Sequence, residues 1–134
     1  MKLEPYVFFY GRCEEALEFY KGVFGGDYQL QRVKDSPMAD RVPPEARDGI
    51  MHAKFDGPGF QFMATDGPVS KRVSPDEGNI SLSLEIEDRA QAERVFAQLG
   101  EGGEVMMPFA DAFWGGMFGV VTDKFGTEWM ISSE

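Results

Sequence analysis

Few side chains in this sequence are chemically equipped to do more than fold. There is one histidine, His52, and one cysteine, Cys13. An imidazole titrates near neutrality, so His52 is a candidate for proton transfer; the competing reading is a hydrogen-bonded strand residue. Cys13 falls at a strand-to-helix turn, where a helix N-terminus lowers a thiol pKa, but with no second cysteine and no histidine near it in sequence it reads as structural. Glu128 is the carboxylate best suited to general-base work, provided that burial raises its pKa. At a solvated rim it would do nothing. Finally, Phe113-Trp114-Gly115-Gly116-Met117 combines aromatics with flexible glycines. It reads either as a lid or stacking platform for planar or cationic ligands, or as a hairpin whose rings plug the structure or make a dimer contact.

The composition narrows the partners. With 134 residues, 43% of them apolar, the chain is one domain's worth and needs neither disulfide nor structural metal to bury a core. Thirteen basic residues against twenty-three acidic ones leave a formal charge of −10, which repels phosphate backbones and anionic headgroups. Nucleic acid is therefore not an expected partner. No apolar stretch approaches the roughly 20 residues a membrane helix needs, and Lys2, Glu4 and Gly11-Arg12 interrupt any signal-like run at the N-terminus. The expected setting is the cytoplasm, with no membrane contact.

The elements that must position these residues occur twice. A β-prone run within Met1–Phe9 stops at Gly11. The segment from Cys13 to Phe24 then places Ala16, Phe19, Tyr20 and Val23 at helical spacing, with Glu14, Glu15 and Glu18 toward the positive end of the helix dipole. Those four apolar positions recur at one constant offset as Ala92, Val95, Phe96 and Leu99, and Gly102-Gly103 closes the second helix as Gly25-Gly26 closes the first. Before the second helix, Ile80, Leu82, Leu84 and Ile86 alternate with Asn79, Ser81, Ser83 and Glu85, a period of two with one apolar face. Three β-prone runs follow each helix: Tyr28–Val33, Met51–Phe55 and Phe60–Thr65, then Glu104–Phe109, Gly115–Thr122 and Glu128–Ser132. The order is βαβββ twice, an α+β duplication whose period is too long for a solenoid. Module one spans 1–66 and module two 79–134, joined by a linker at 67–78 that holds Pro68 and Pro75. Residues 35–48, rich in Pro, Asp and Arg, read as a loop.

Taken in order, Glu15-Ala-Leu-Glu-Phe-Tyr, Phe24-Gly-Gly, Met51-His-Ala, Thr65-Asp66, Gly102-Gly-Glu-Val-Met-Met-Pro, Phe113-Trp-Gly and Thr122-Asp-Lys-Phe-Gly-Thr-Glu-Trp-Met cover nearly the whole chain. Through them the sequence resembles the PhnB-like branch of the glyoxalase and bleomycin-resistance superfamily, the vicinal oxygen chelate fold. The resemblance implies two βαβββ modules forming a cupped eight-stranded sheet, a pocket lined by inner strand faces, and a homodimer. In glyoxalase-type members a divalent metal sits in that pocket. The corresponding positions here fall near Pro5, Met63 (or Gln61), Asn79 and Met130, none of them a histidine or carboxylate. Thioether suits soft metals and an amide oxygen alone is a weak ligand, so no metal and no cofactor are expected. The methyltransferase label common in this branch finds no support, because no Gly-x-Gly-x-x-Gly turn is present to hold an adenosyl cofactor.

Strand alternation then nominates the pocket lining that the resemblance calls for. Gln61, Met63 and Thr65, then Asn79, Ser81, Ser83 and Glu85, then Glu128, Met130 and Ser132 take the pocket side. Trp129 and Ile131 pack on the helix. The ligand-binding candidates are Gln61, Met63, Asn79, Ser81, Phe113, Trp114 and Met130, and the catalytic candidates are Glu128 and His52. Such a lining of amide, hydroxyl, thioether and a carboxylate suits an unidentified small organic molecule, neutral or cationic. Metal-dependent lyase or dioxygenase chemistry, and metal-free general-base chemistry through Glu128, are the alternatives.

Overall fold

The period-two runs become two four-stranded sheets in the computed structural model, which describes residues 1–67 and 78–134. The expected linker at 67–78 lies, but for its two end residues, outside the described residues. The chain divides into two compact units, Met1–Arg72 and Val73–Glu134. In unit one, β1 (Tyr6–Phe8) leads into α1 (Cys13–Phe24), then β2 (Asp27–Arg32), β3 (Ile50–Gly57) and β4 (Phe60–Thr65). Unit two repeats the order with β5 (Leu82–Glu85), α2 (Arg89–Leu99), β6 (Glu104–Asp111), β7 (Met117–Thr122) and β8 (Glu128–Ser133). The sheets run β1-β4-β3-β2 and β5-β8-β7-β6, with the first strand of each parallel to the last and the other pairs antiparallel. This is the duplicated α+β arrangement of the vicinal oxygen chelate fold.

Each helix buries the stripe that its sequence spacing creates. In α1 the buried residues are Cys13, Ala16, Leu17, Tyr20 and Val23, and the Tyr20 ring meets Phe62 edge-on at 5.8 Å while Phe55 stacks on Phe62 at 5.2 Å. In α2 they are Ala92, Val95, Phe96 and Leu99, and Phe96 stacks on Phe109 at 5.5 Å. Trp129 and Ile131 are buried with them, as their parity on β8 requires. Each fully buried ring or branched side chain contributes about 1.5–3 kcal/mol over an exposed one, so these two stripes carry most of the cohesion within each unit.

Why the duplicated glycines follow the helices is visible in the backbone. A Cβ at Gly26, which has a φ of +83°, would lie 2.1 Å from the Asp56 carbonyl oxygen, and one at Gly103 would lie 2.1 Å from that of Thr122. In both units the chain leaving the helix passes too close to a neighbouring strand for any side chain.

Two buried aspartates brace the corners. Asp66 Oδ1 accepts from the Cys13 amide at 2.8 Å and Oδ2 from the Ile50 amide at 2.6 Å, tying the start of α1 to the start of β3. The α1 N-cap, Arg12, makes no side-chain capping bond, so Asp66 satisfies from across the fold a helix-terminal donor that lacks a local partner. In α2 the local device is present, with Asp88 accepting from the Gln91 amide. Asp123 Oδ1 accepts from the amides of Phe125 and Thr127 and its Oδ2 from Trp129 Nε1 at 2.9 Å, which shapes the β7–β8 turn and fixes the indole. The Thr-Asp pairs of the sequence are thus scaffold.

Several boundaries differ from the sequence expectation. β1 begins only at Tyr6, because Pro5 has no amide to donate and Met1 and Leu3 are exposed. β5 begins at Leu82, leaving Ile80, expected on the helix face, exposed; among the described residues β5 is an edge strand paired with β8. β7 begins at Met117, with Gly115-Gly116 forming the turn before it. Residues 35–48 contain two short 3-10 turns, Ala39–Arg41 and Pro44–Ala46, and the end of a third, Val33–Asp35, in place of an unstructured loop.

The double role of Asp66 sets an expected outcome. Asp66→Ala leaves two buried backbone donors without partners, at about 1–3 kcal/mol each, so urea unfolding should show a loss of about 2–4 kcal/mol. A loss within experimental error of zero would contradict the bracing role.

Candidate functional site

With one helix on one face of each sheet, the other face is where the non-core side chains gather. In unit one, Tyr6 pairs with Met63, Phe8 with Thr65, Lys54 with Met63 and Gln31 with His52. Directly paired residues share a face, so Tyr6, Phe8, His52, Lys54, Gln61, Met63 and Thr65 stand opposite α1. In unit two, Ser83 pairs with Met130, Glu85 with Ser132, Phe118 with Ser132 and Val120 with Met130. These, with Glu128, form the face opposite α2.

Each candidate now has a place. Gln61 and Met63 are half-buried on the open face of unit one, and Gln61 Nε2 donates to Asp56 Oδ1 at 2.6 Å. His52 is half-buried on that face, its Nδ1 3.1 Å from the Tyr6 hydroxyl. Asn79 is exposed ahead of β5, while Ser81 is half-buried and donates its hydroxyl to Glu128 Oε1. Met130 is half-buried on the open face of unit two. Phe113 and Trp114 lie between β6 and β7, where Phe113 is 97% and Trp114 61% exposed. The indole contacts Phe113 edge-on at 4.7 Å and Phe118 at 5.4 Å.

Of the ligand-binding and catalytic candidates, Trp114 lines a cleft, and the others stand outside its lining. An open cleft of about 370 Å³ is lined by Trp114, the Gly115-Gly116 turn and Met117, together with Glu85, Ser132 and Glu134. Glu85 and Ser132 are neighbours across β5 and β8, and Phe118 extends the aromatic surface from Trp114 onto the sheet. The cleft therefore presents an exposed indole, two carboxylates and a hydroxyl within one unit. Ser81 and Glu128 form a separate polar pair near the start of β8. Sequence reasoning missed Tyr6 and Phe8, which it read only as β-prone. The signal available was the alternation Tyr6, Phe8 against Val7, Phe9, but which face was open depended on the pairing with β4.

Cys13 is fully buried, and burial, with Asp66 and Glu14 nearby, pushes its thiol up to about 12. The helix N-terminus that lowers thiol pKa values in open sites is outweighed here by desolvation. This side chain is packing.

Whether the residues present would suit a divalent ion is a question of donors. Among the described residues no group of three or more histidines, cysteines, aspartates or glutamates converges. Pro5 contributes its carbonyl to the Met63 amide, His52 faces a phenol, Gln61 is engaged by Asp56, and Met63 and Met130 offer thioethers. Hard and borderline divalent ions take several oxygen or nitrogen donors at once, so this set does not fit one.

Comparison with known proteins agrees with the fold. Residues 2–131 match the Glyoxalase/Bleomycin resistance protein/Dioxygenase superfamily. The chain is 29% identical to Protein YjdN of Escherichia coli K12, over 98% of this chain and 95% of that protein. It is similar to the crystal structure of protein PA1353 from Pseudomonas aeruginosa, with 36% identity, a TM-score of 0.85 and coverage of 100% and 98% of the two chains. The structure of a PhnB protein from Bacillus cereus superimposes with a TM-score of 0.79 at 25% identity, covering 100% of both chains.

The buried thiol gives a direct check. With a pKa of about 12, only roughly 10⁻⁴ of Cys13 is thiolate at pH 8, and it is also inaccessible. A chromogenic aromatic disulfide should label the native protein at least about 100-fold more slowly than the urea-unfolded chain. Equal rates would show that the α1 corner is open.

Proposed function

We propose that this chain, which belongs to the glyoxalase/bleomycin resistance protein/dioxygenase superfamily, is a small-molecule-binding protein that takes a planar organic molecule, neutral or cationic, without recruiting a divalent metal. The observation that carries this reading is the cleft of unit two, where the exposed Trp114 ring stands with Glu85 and Glu134. An indole face attracts cations and stacks on planar rings. The carboxylates select positive charge, Ser132 supplies a directional polar contact, and the formal charge of −10 steers cations toward the protein. Phe118, Val120 and Met130 continue the surface as an apolar wall.

The same reading places the protein in the cytoplasm as two modules, 1–66 and 79–134, in a homodimer. Support for association comes from β6, an edge strand whose Val105, Met106 and Met107 are about half exposed and so offer an apolar ladder for pairing. No helix among the described residues is long and apolar enough to cross a membrane. The net charge argues against a nucleic-acid partner.

One observation favours a second reading, in which the protein is an enzyme. Glu128 is half-buried and held by the Ser81 hydroxyl, so its carboxylate is oriented in the manner of a positioned general base. Turnover by the wild type that disappears in Glu128→Gln would favour this reading over simple binding.

Titration with proflavine, a planar aromatic cation, followed by tryptophan quenching and calorimetry, tests the binding reading. Saturable binding is expected to weaken about tenfold in Trp114→Ala and about threefold in Glu85→Gln, with reduced salt dependence. Chelator treatment should leave the affinity unchanged. Equal affinity in wild type and Trp114→Ala, or binding that requires an added divalent ion, would overturn the proposal.

A further inference from the structure

The open face of unit one carries a different set of groups. Three aromatic rings follow one another along its first strand and the turn beyond it: Tyr6 to Phe8 at 5.7 Å and Phe8 to Tyr10 at 6.0 Å. Tyr6 and Phe8 are 42% and 48% exposed. Yet the row is not loose, since the Phe8 ring lies over Gly67, where a Cβ would approach within 2.6 Å of it. Beside the row stands His52, 5.7 Å from Tyr6 ring to ring and in hydrogen-bond contact with its hydroxyl. Gln31, uncharged, is in register with His52; along the same face of β3 follow the Lys54 ammonium and then the Asp56 carboxylate, which is in register with Asp27 and with Gln61 and accepts from Gln61 Nε2. No ion pair holds Lys54 among the described residues. Here an aromatic platform adjoins an imidazole, with Lys54 the nearer charge along β3 and Asp56 beyond it, where unit two pairs an aromatic with acids.

We propose that Tyr6, Phe8, His52 and Lys54 form a second ligand site, for a planar aromatic molecule bearing a weakly acidic hydroxyl, a phenol or an aromatic enol. The ring of the ligand stacks on the exposed Tyr6 and Phe8 faces. His52 Nδ1 carries a proton and donates it to the Tyr6 oxygen, which leaves the Nε2 lone pair to accept. The ligand O–H bond breaks as the Nε2–H bond forms. The products are an imidazolium and an aromatic oxyanion, with the Lys54 ammonium adding attraction to the anion. Tyr6 is the positioning residue, because its hydroxyl holds the ring at Nδ1 and accepts from the Nδ1–H of the imidazolium that forms. No oxidant, metal or second substrate enters this step. The site stands on residues separate from the Trp114 cleft and does not rest on the reading proposed for it.

Para-nitrophenol is the probe, since its phenol and phenolate forms absorb at different wavelengths. On the acid side of its own titration, adding the full-length protein should raise the phenolate band saturably. His52→Gln should abolish that rise, and Tyr6→Phe, which keeps the ring but not the hydroxyl, should reduce it about fivefold while leaving total binding by equilibrium dialysis within about twofold. Trp114→Ala should leave the rise intact. The proposal is overturned if the wild type gives no rise, if the rise survives His52→Gln in folded protein, or if Tyr6→Phe has no effect on it. A rise lost in Trp114→Ala but kept in His52→Gln would also overturn it, by placing the probe in the cleft of unit two.

Discussion

Each four-stranded sheet in this protein has one helix with which to cover itself, and nearly everything else follows from that constraint. A strand alternates its side chains between two faces, so one helix decides at a stroke which residues become core and which remain for chemistry. Tyr20 and Phe96 sit at matching places in the duplicated pattern, and each meets an aromatic of its own sheet: Phe62 for the first, Phe109 for the second. Once those contacts form, the parity of β4 and β6 is fixed, because a one-residue slip would turn Phe62 or Phe109 away from its helix. Asp66 and Asp123 then hold the ends of the elements in place, the first by linking α1 to β3 and the second by anchoring the Trp129 indole.

The two open faces that result are built on one plan and differ in the groups set beside their aromatic rings. Unit two sets an exposed indole beside Glu85 and Glu134, while unit one sets a row of aromatic rings beside His52 and Lys54. A duplicated scaffold permits this divergence, because substitutions on the open face leave the helix stripe untouched. Among the described residues neither face brings together three or more histidine, cysteine or carboxylate side chains, and both present flat apolar surface with a few oriented polar groups.

Much of the scaffold was legible in the sequence because it depends on local periodicity. Ala16, Phe19, Tyr20 and Val23 with their counterparts in α2 announced two helices, and the alternation of Leu82 and Leu84 with Ser83 and Glu85 announced β5 and its faces. Trp129 and Ile131 were correctly assigned to the core from parity alone. The readings that missed concern pairing between distant strands. Ile80 continues the apolar alternation but lies ahead of β5, which begins at Leu82, and is exposed. Tyr6 and Phe8 looked like ordinary strand residues until their register with Met63 and Thr65 put them on the open face. Trp114 was recognised as a candidate through its aromatic, glycine-rich surroundings, yet that Glu85 and Ser132 would flank it was decided by strand order, which no local pattern encodes. The contact between His52 and Tyr6 spans 46 residues of sequence and left no trace in either segment.

The most direct test of a metal-independent organic site on unit two uses the two tryptophans as probe and internal control. Trp129 is buried, with its indole N–H bound to Asp123, whereas Trp114 is exposed at the cleft. In an NMR titration of chelator-treated, isotopically labelled protein with a planar aromatic cation, the Trp114 indole resonance should shift saturably while that of Trp129 stays in place. No movement at Trp114, or movement that appears only after a divalent ion is added, would contradict the account.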